Sequence, residues 1–266
     1  MINTLPLWDK AQADSHVGQE GQMVLDTSDV SLRVYNGQVV GGYKSEGLVK
    51  TKNQGGPGPN GLIAGDIITG YYGETAVEDL IEGRALAELV GLTSGYAFHY
   101  NEPWLKFSDN EKVIYISKSP YRTNVPFTNL QNINITYPGV EVTIGDNQYR
   151  VRLMRGADQN PAPATLDTAT VAPEFEGFKL SDFYRFLLPL LTDSEFSDPR
   201  SNNIPRWGSL TLVDLGVVDS TGSWTYTEHL ARAGDRIYWP FTTADRLGRN
   251  PPGNAKYWRP VLELIN

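Results

Sequence analysis

The stretch VEVTIGDNQYRVRLM, residues 140–154, decides how the chain folds. Val140, Val142 and Ile144 share one face of an extended segment, and Tyr149, Val151 and Leu153 share one face of its partner. Gly145, Asp146 and Asn147 between them are turn formers, so the pair reads as a hairpin of Val140–Ile144 and Tyr149–Met154 with one half-buried face. Working outward, WLKF at Trp104–Phe107 and KVIYISKSPY at 112–121 are strand candidates. Leu210–Val213, Ser223–Thr227, Asp235–Phe241 and Trp258–Leu264 follow late in the chain. No repeat of the kind that builds solenoids is present. The expected class is α+β, mostly β, with few helices.

Two helices interrupt this pattern. Thr75 is placed to cap the first and Glu78 to complete a capping box; Val77, Leu80, Ile81, Leu86, Leu89 and Val90 then recur at mostly helical spacing until Gly91. Gly83 weakens its middle, while Glu74, Glu78, Asp79 and Glu82 read as a solvated acidic face. The second begins at Ser181, carries an apolar stripe of Phe183, Phe186, Leu187, Leu190 and Leu191, and kinks or stops at Pro189.

Toward the N-terminus, GQMVLDTSDVSLRVYNGQVVGGY at 21–43 holds Met23–Leu25, a turn at Asp26–Asp29, an alternation through Leu32, Val34 and Tyr35, the turn pair Asn36-Gly37, and Val39-Val40. This is a hairpin or small meander too short to bury a core alone, so it needs another domain, copies of itself or a larger assembly. The glycine- and proline-rich run after Tyr43 reads as a linker. Pro57 and Pro59 each remove an amide donor that a phosphate loop would need. The expected organisation is 1–45 for attachment or oligomerisation, 46–74 as linker, 75–156 as a helix-plus-β middle region, and 157–266 as a C-terminal domain that could begin near residue 100. Residues 157–173 form an irregular, proline-bearing excursion.

The chain has 266 residues, and 23 Lys and Arg against 31 Asp and Glu give a formal charge of −8. That balance, with no lysine-rich block, speaks against nucleic acid. No apolar run approaches the roughly 20 residues of a membrane-spanning helix, and the first residues do not read as a signal peptide. Cysteine is absent, which excludes disulfides and cysteine metal sites.

Catalytic constellations are sparse. The histidines are His16, His99 and His229, with no GxSxG elbow and no pair at zinc-ligand spacing. Asp214, Asp219 and Glu228 are the least poor candidates for a glycosidase carboxylate pair. Asp193, Glu195 and Asp198 offer calcium oxygens without the ordered loop that ion requires. The expectation is no enzyme activity, no cofactor and no metal. What stands out is the aromatic and arginine density of the last part. Trp224, Trp239 and Trp258 sit inside strand candidates and read as core. Arg246, Arg249, Asn250 and Asn254, in the loop from Thr243 to Lys256, read as an exposed recognition surface, because directed donors among glycines and prolines are poor core material.

The runs SWTYTEHLARAGDRIYWPF at 223–241 and NAKYWRPVLELI at 254–265 resemble the ends of tailed-bacteriophage virion and tail-fibre-like proteins. The matching positions are Trp224, Glu228, Arg236, Trp258, Arg259, Pro260, Val261, Leu262, Glu263 and Leu264. Trp104–Phe107, then Tyr115, Ile116, Lys118, Pro120 and Arg122, and the YRVRLMRG run at 149–156 are similar to the same group. So are Gly21, Leu25, Asp26, Thr27, Leu32, Asn36, Gly37, Gly41 and Gly42 to the N-terminal repeat of phage fibres. The resemblance implies a C-terminal domain of the C-type-lectin-like, formylglycine-generating type. The enzymes of that superfamily use cysteine, so here it implies a scaffold. It further implies a structural protein on the particle exterior, made in the host cytoplasm. It would associate as a homotrimer with other virion proteins and contact a host-surface glycan or protein, or alternatively decorate or cement the particle.

Overall fold

The computed structural model describes residues 6–20, 22–26, 31–35, 37–38, 40–44, 55–66, 68–110, 112–136, 138–158, 178–196, 204–216, 225–230, 236–239, 248–250 and 255–265. At 31–32, 43–44, 226, 228–230, 236–239 and 248–250 only the backbone is described. Among the described residues the fold is mixed α+β, with three sheets and few helices. It comprises two compact units, Met1–Gln54 and Gly55–Asn266.

The first unit contains β1 (Leu7–Trp8), α1 (Lys10–Ser15), β2 (Met23–Asp26), β3 (Ser31–Val34) and β4 (Tyr43–Lys44), with the strands in that order across one sheet. β1 runs parallel to β2, and the other pairs are antiparallel. Asp9 caps α1 by accepting from the Gln12 amide at 2.8 Å, while Gln12 Oε1 accepts from the Asp9 amide at 3.1 Å. The strand order departs from expectation in two places. Asp26 lies inside β2 opposite Ser31, and the third hairpin strand is Tyr43–Lys44, since Val40 lies in a turn and Val39 falls outside the described residues.

The second unit contains β5 (Ala64–Gly65), β6 (Thr69–Thr75), α2 (Gly83–Leu89), β7 (Tyr96–Ala97), β8 (Trp104–Asp109), β9 (Lys112–Ser117), β10 (Arg122–Val125), α3 (Phe127–Asn132), β11 (Val140–Ile144) and β12 (Asn147–Arg152). After a helical segment come β13 (Thr225–Leu230), β14 (Arg236–Trp239), β15 (Gly248–Asn250), β16 (Lys256–Trp258) and β17 (Val261–Leu264). A seven-stranded antiparallel sheet has the order β11-β12-β17-β9-β8-β6-β5, and a six-stranded sheet the order β15-β14-β13-β16-β10-β7. The hairpin stands, with Ile144 paired to Asn147 so that only Gly145 and Asp146 form the turn. The expected boundary near residue 156 falls inside this unit, because β17 lies between β12 and β9.

The expected single strand Trp258–Leu264 is broken. β16 belongs to the six-stranded sheet and β17 to the seven-stranded one, so the chain changes sheets at Arg259-Pro260. Pro260 has no amide to offer a ladder, and Arg259 turns fully inward. Its guanidinium donates to the carbonyls of Ser117 at 2.8 Å, Lys118 at 2.5 Å and Leu215 at 2.5 Å, which ties the corner to the end of β9 and to the turn at Leu215.

Both faces of the seven-stranded sheet are covered. On one, Leu105, Phe107, Ile114, Ile116 and Val261 pack with the segment around Phe183–Leu191. On the other, Trp104, Tyr115, Tyr149, Val151 and Leu262 pack with residues of α2 and α3. The second expected helix is one π-type turn, Phe183–Leu187, followed by a 3-10 turn, Leu188–Leu190, in which Pro189 needs no donor. Ser181 Oγ accepts from the Tyr184 amide at 3.2 Å, as its capping role requires. Charge fastens this segment to the sheet: Asp182 accepts from Arg152 at 2.5 Å, and Arg185 donates to Asp109 at 2.5 Å. Glu263 meets Arg152 at 3.4 Å.

Three further expectations change. The first helix starts at Gly83, not after Thr75, which ends β6. Gly83 is required by close approach, since a Cβ there would stand 2.5 Å from the Tyr121 ring. The expected linker is structured from Gly55 onward, through β5 and most of β6, while 45–54 lie outside the described residues. Leu210–Val213 is no strand; Leu210 makes a single bridge to Leu191 and a turn follows.

Candidate docking surface

The N-terminal sheet has its polarity reversed. Strand alternation puts Val24 and Asp26 of β2 and Arg33 of β3 on one face, and these are buried. There Arg33 donates to Asp26 at 2.6 and 2.9 Å, to Asp14 of α1 at 2.5 Å and to the Gly41 carbonyl at 2.8 Å. Burial would lower the Arg33 pKa, but its bonds to Asp26 and Asp14 outweigh that and raise it. His16 packs edge to face with both Trp8 and Tyr35 beside this pair, with Trp8 and His16 centroids 4.6 Å apart. The opposite face carries Leu7, Met23 and Val34 at 66%, 46% and 37% exposure, with half-buried Leu25. In backbone register Leu32 pairs with Leu25, and Tyr43 with Val34. An antiparallel sheet with one solvated face ordinarily turns its polar residues outward. Here the ions are inside and the aliphatic positions outside.

The sequence-derived recognition residues are only partly placed. Arg249 and Asn250 lie on β15, the edge strand of the six-stranded sheet paired with β14. The expected loop therefore contains a short strand. Arg246 and Asn254 fall outside the described residues, as does Trp224; Trp239 is on β14. Trp258, Arg259 and Pro260 are buried, so this part of the terminal motif is core.

Lys106 is a residue whose importance sequence reasoning passed over. It shares a face of β8 with Trp104, so period two alone places it inward, and it is fully buried. Its ammonium donates to Asn60 Oδ1 at 2.8 Å and the Gly56 carbonyl at 3.4 Å, and stands 5.9 Å from the centre of the Tyr115 ring. Tyr115 donates to the Pro57 carbonyl at 2.8 Å. Gly58, at φ +81°, fits over Thr75 where a Cβ would come within 2.0 Å of its hydroxyl. Burial pushes the Lys106 pKa down to about 8 from 10.5. In the free amine, the folded form releases its proton before the unfolded form does. Stability is therefore expected to rise between about pH 8 and 10.5, by about 3 kcal/mol across that window. Denaturant titrations across that range check this, and Lys106→Met should flatten the rise.

The other candidate groups are engaged structurally. Asp214 accepts from the Thr211 amide at 2.7 Å and hydroxyl at 2.8 Å, bonds that lower its pKa. Asp193 accepts from Arg206 at 2.7 Å. His99 meets the Phe98 ring edge to face with centroids 4.0 Å apart. Asp198 and Asp219 lie outside the described residues, and only the backbone is described at Glu228 and His229. Among the described residues no three His, Asp or Glu side chains converge as a metal site, and no helix is long and apolar enough to cross a membrane.

Comparison with known proteins returns no match among protein-family profiles, curated proteins or solved structures.

Proposed function

We propose that the chain is a structural protein of a bacteriophage tail, fibre or baseplate. Its N-terminal sheet, a small attachment meander, docks against copies of itself, while the larger unit meets the host surface. The observation that carries this reading is the aliphatic outer face of the N-terminal sheet, formed by Leu7, Met23, Leu25 and Val34 over a buried Arg33–Asp26 pair. A sheet of this size stabilises poorly with such a face in water, and a partner copy supplies the missing cover. A second support is the placement of the phage-like motifs. The blocks at 104–107, 115–116, 149–152 and 261–264 lie on β8, β9, β12 and β17, adjacent strands of one sheet. The C-type-lectin-like reading belongs to the same proposal, for a body that begins near residue 100 and ends on β17.

Light scattering is expected to give three times the 29.5 kDa chain mass at micromolar concentration. The double change Met23→Lys and Val34→Asp should shift the protein to monomer. A monomeric parent, or a trimer indifferent to that change, overturns the docking face.

Arg246→Ala with Arg249→Ala separates two roles for the other end. In an attachment protein, particles should assemble normally and adsorb poorly to host cells. In a cement protein, adsorption per particle should persist while occupancy or particle stability falls. Parental behaviour in both assays removes this region from the functional reading.

A further inference from the structure

We propose that Lys106 and Asn60 form an intramolecular isopeptide bond that clasps the segment 55–60 onto the seven-stranded sheet. The Lys106 amine lies in hydrogen-bond contact with the Asn60 side-chain amide at 2.8 Å, and among the described residues no carboxylate lies within ion-pair distance of it. The residue after Asn60 is Gly61, and nothing lies within 4 Å of where a Cβ on Gly61 would stand. An Asn-Gly step is the least hindered setting for the following amide nitrogen to attack the side-chain carbonyl.

The chemistry balances without a co-reactant. The Gly61 nitrogen bonds to Asn60 Cγ and the side-chain nitrogen leaves as ammonia, taking the Gly61 amide proton and closing a five-membered imide. The neutral Lys106 amine then bonds to Cγ, the Cγ–Gly61 nitrogen bond breaks, and the proton lost by Lys106 returns to Gly61. The net change is one amide formed between Lys106 and residue 60, with one ammonia released. Water competes for the imide, but a buried amine already positioned on the same group has the advantage of proximity. With a pKa near 8, about a tenth of Lys106 is in the nucleophilic neutral form at neutral pH. The product amide carries no charge, so the burial cost borne by the free amine disappears, and with it the alkaline rise in stability expected of the unlinked protein.

The bond has a mechanical consequence. β5 is the edge strand of its sheet and β6 its neighbour, so tension entering the unit at Gly55 would peel them first. A link from residue 60 to β8 carries that tension past the edge into the sheet interior.

Intact mass spectrometry of the full-length protein, after incubation in mildly alkaline buffer, tests this. The expected mass is lower than the sequence mass by one ammonia. Trypsin should release residues 53–84 joined to residues 85–112, uncleaved after Lys106. Asn60→Ala and Lys106→Arg should each give the unlinked mass and separate peptides. An unchanged parental mass overturns the proposal. So does a stable imide, or conversion of Asn60 to an acid, with Lys106 still cleaved by trypsin.

Discussion

Removal of Trp258–Asn266 is expected to abolish the cooperative unfolding transition of residues 55–266. β17 pairs Val261, Leu262 and Glu263 with Ile116, Tyr115 and Ile114 of β9, and on its other edge pairs Val261–Leu264 with Tyr149–Arg152 of β12. Taking it out leaves two separated half-sheets with unpaired edges through the middle of both cores. The single change Trp258→Ala isolates part of this loss. Trp258 is fully buried among Trp104, Tyr121, Val125 and Phe127, and its carbonyl accepts from the Tyr121 amide at 2.9 Å. Deleting such a ring should cost about 3–5 kcal/mol in equilibrium denaturation. A cost below about 1 kcal/mol would contradict its burial and make it a surface ring open to ligand contact.

The second large effect concerns the buried charges that hold the helical segment to the sheet. Asp182 has no exposure and Arg152 almost none, so Asp182→Ala strips Arg152 of its 2.5 Å ion pair where water cannot replace it. A loss of about 3–5 kcal/mol is expected. Arg152→Met combined with Asp182→Leu should recover much of that loss, because it removes the desolvation cost along with the pair. Equal losses in the single and double variants would show that packing and not charge fastens the segment.

Acid should act on the same network through Glu263. Burial alone would raise the Glu263 pKa, but the hydrogen bond from Lys112 and the charges of Arg152, Lys112 and Arg155 hold it below its ordinary 4.5. A carboxylate whose folded pKa is depressed contributes its full stability above the unfolded value. That contribution is lost as pH falls through the folded one. Stability is thus expected to fall below about pH 4.5, and Glu263→Gln should lose that part of the decline.

Local patterns in the sequence were enough to determine the predominance of strands over helices, the hairpin at 140–152 and the helix stop at Gly91. Such features depend on residues close in sequence: period two, a turn pair, and a glycine at φ +73° that lets the amides of Gly91 and Leu92 bond back to Glu88 and Ala87. Tertiary structure alone decided which sheet each strand joins and which face the N-terminal strands bury. Asp26 reads as a turn residue until pairing places it in β2, joined to Arg33 beneath α1, and leaves the aliphatic positions outside. Trp258–Leu264 reads as one strand until Arg259 finds carbonyls at Ser117, Lys118 and Leu215, distant in sequence, and turns the chain between sheets. The same holds for the candidate site, since Lys106 meets Asn60 only after β8 is buried and the glycine-proline run folds back over it. Periodicity reports that a side chain has a face, whereas the energy of burying that face depends on partners brought together by the whole fold.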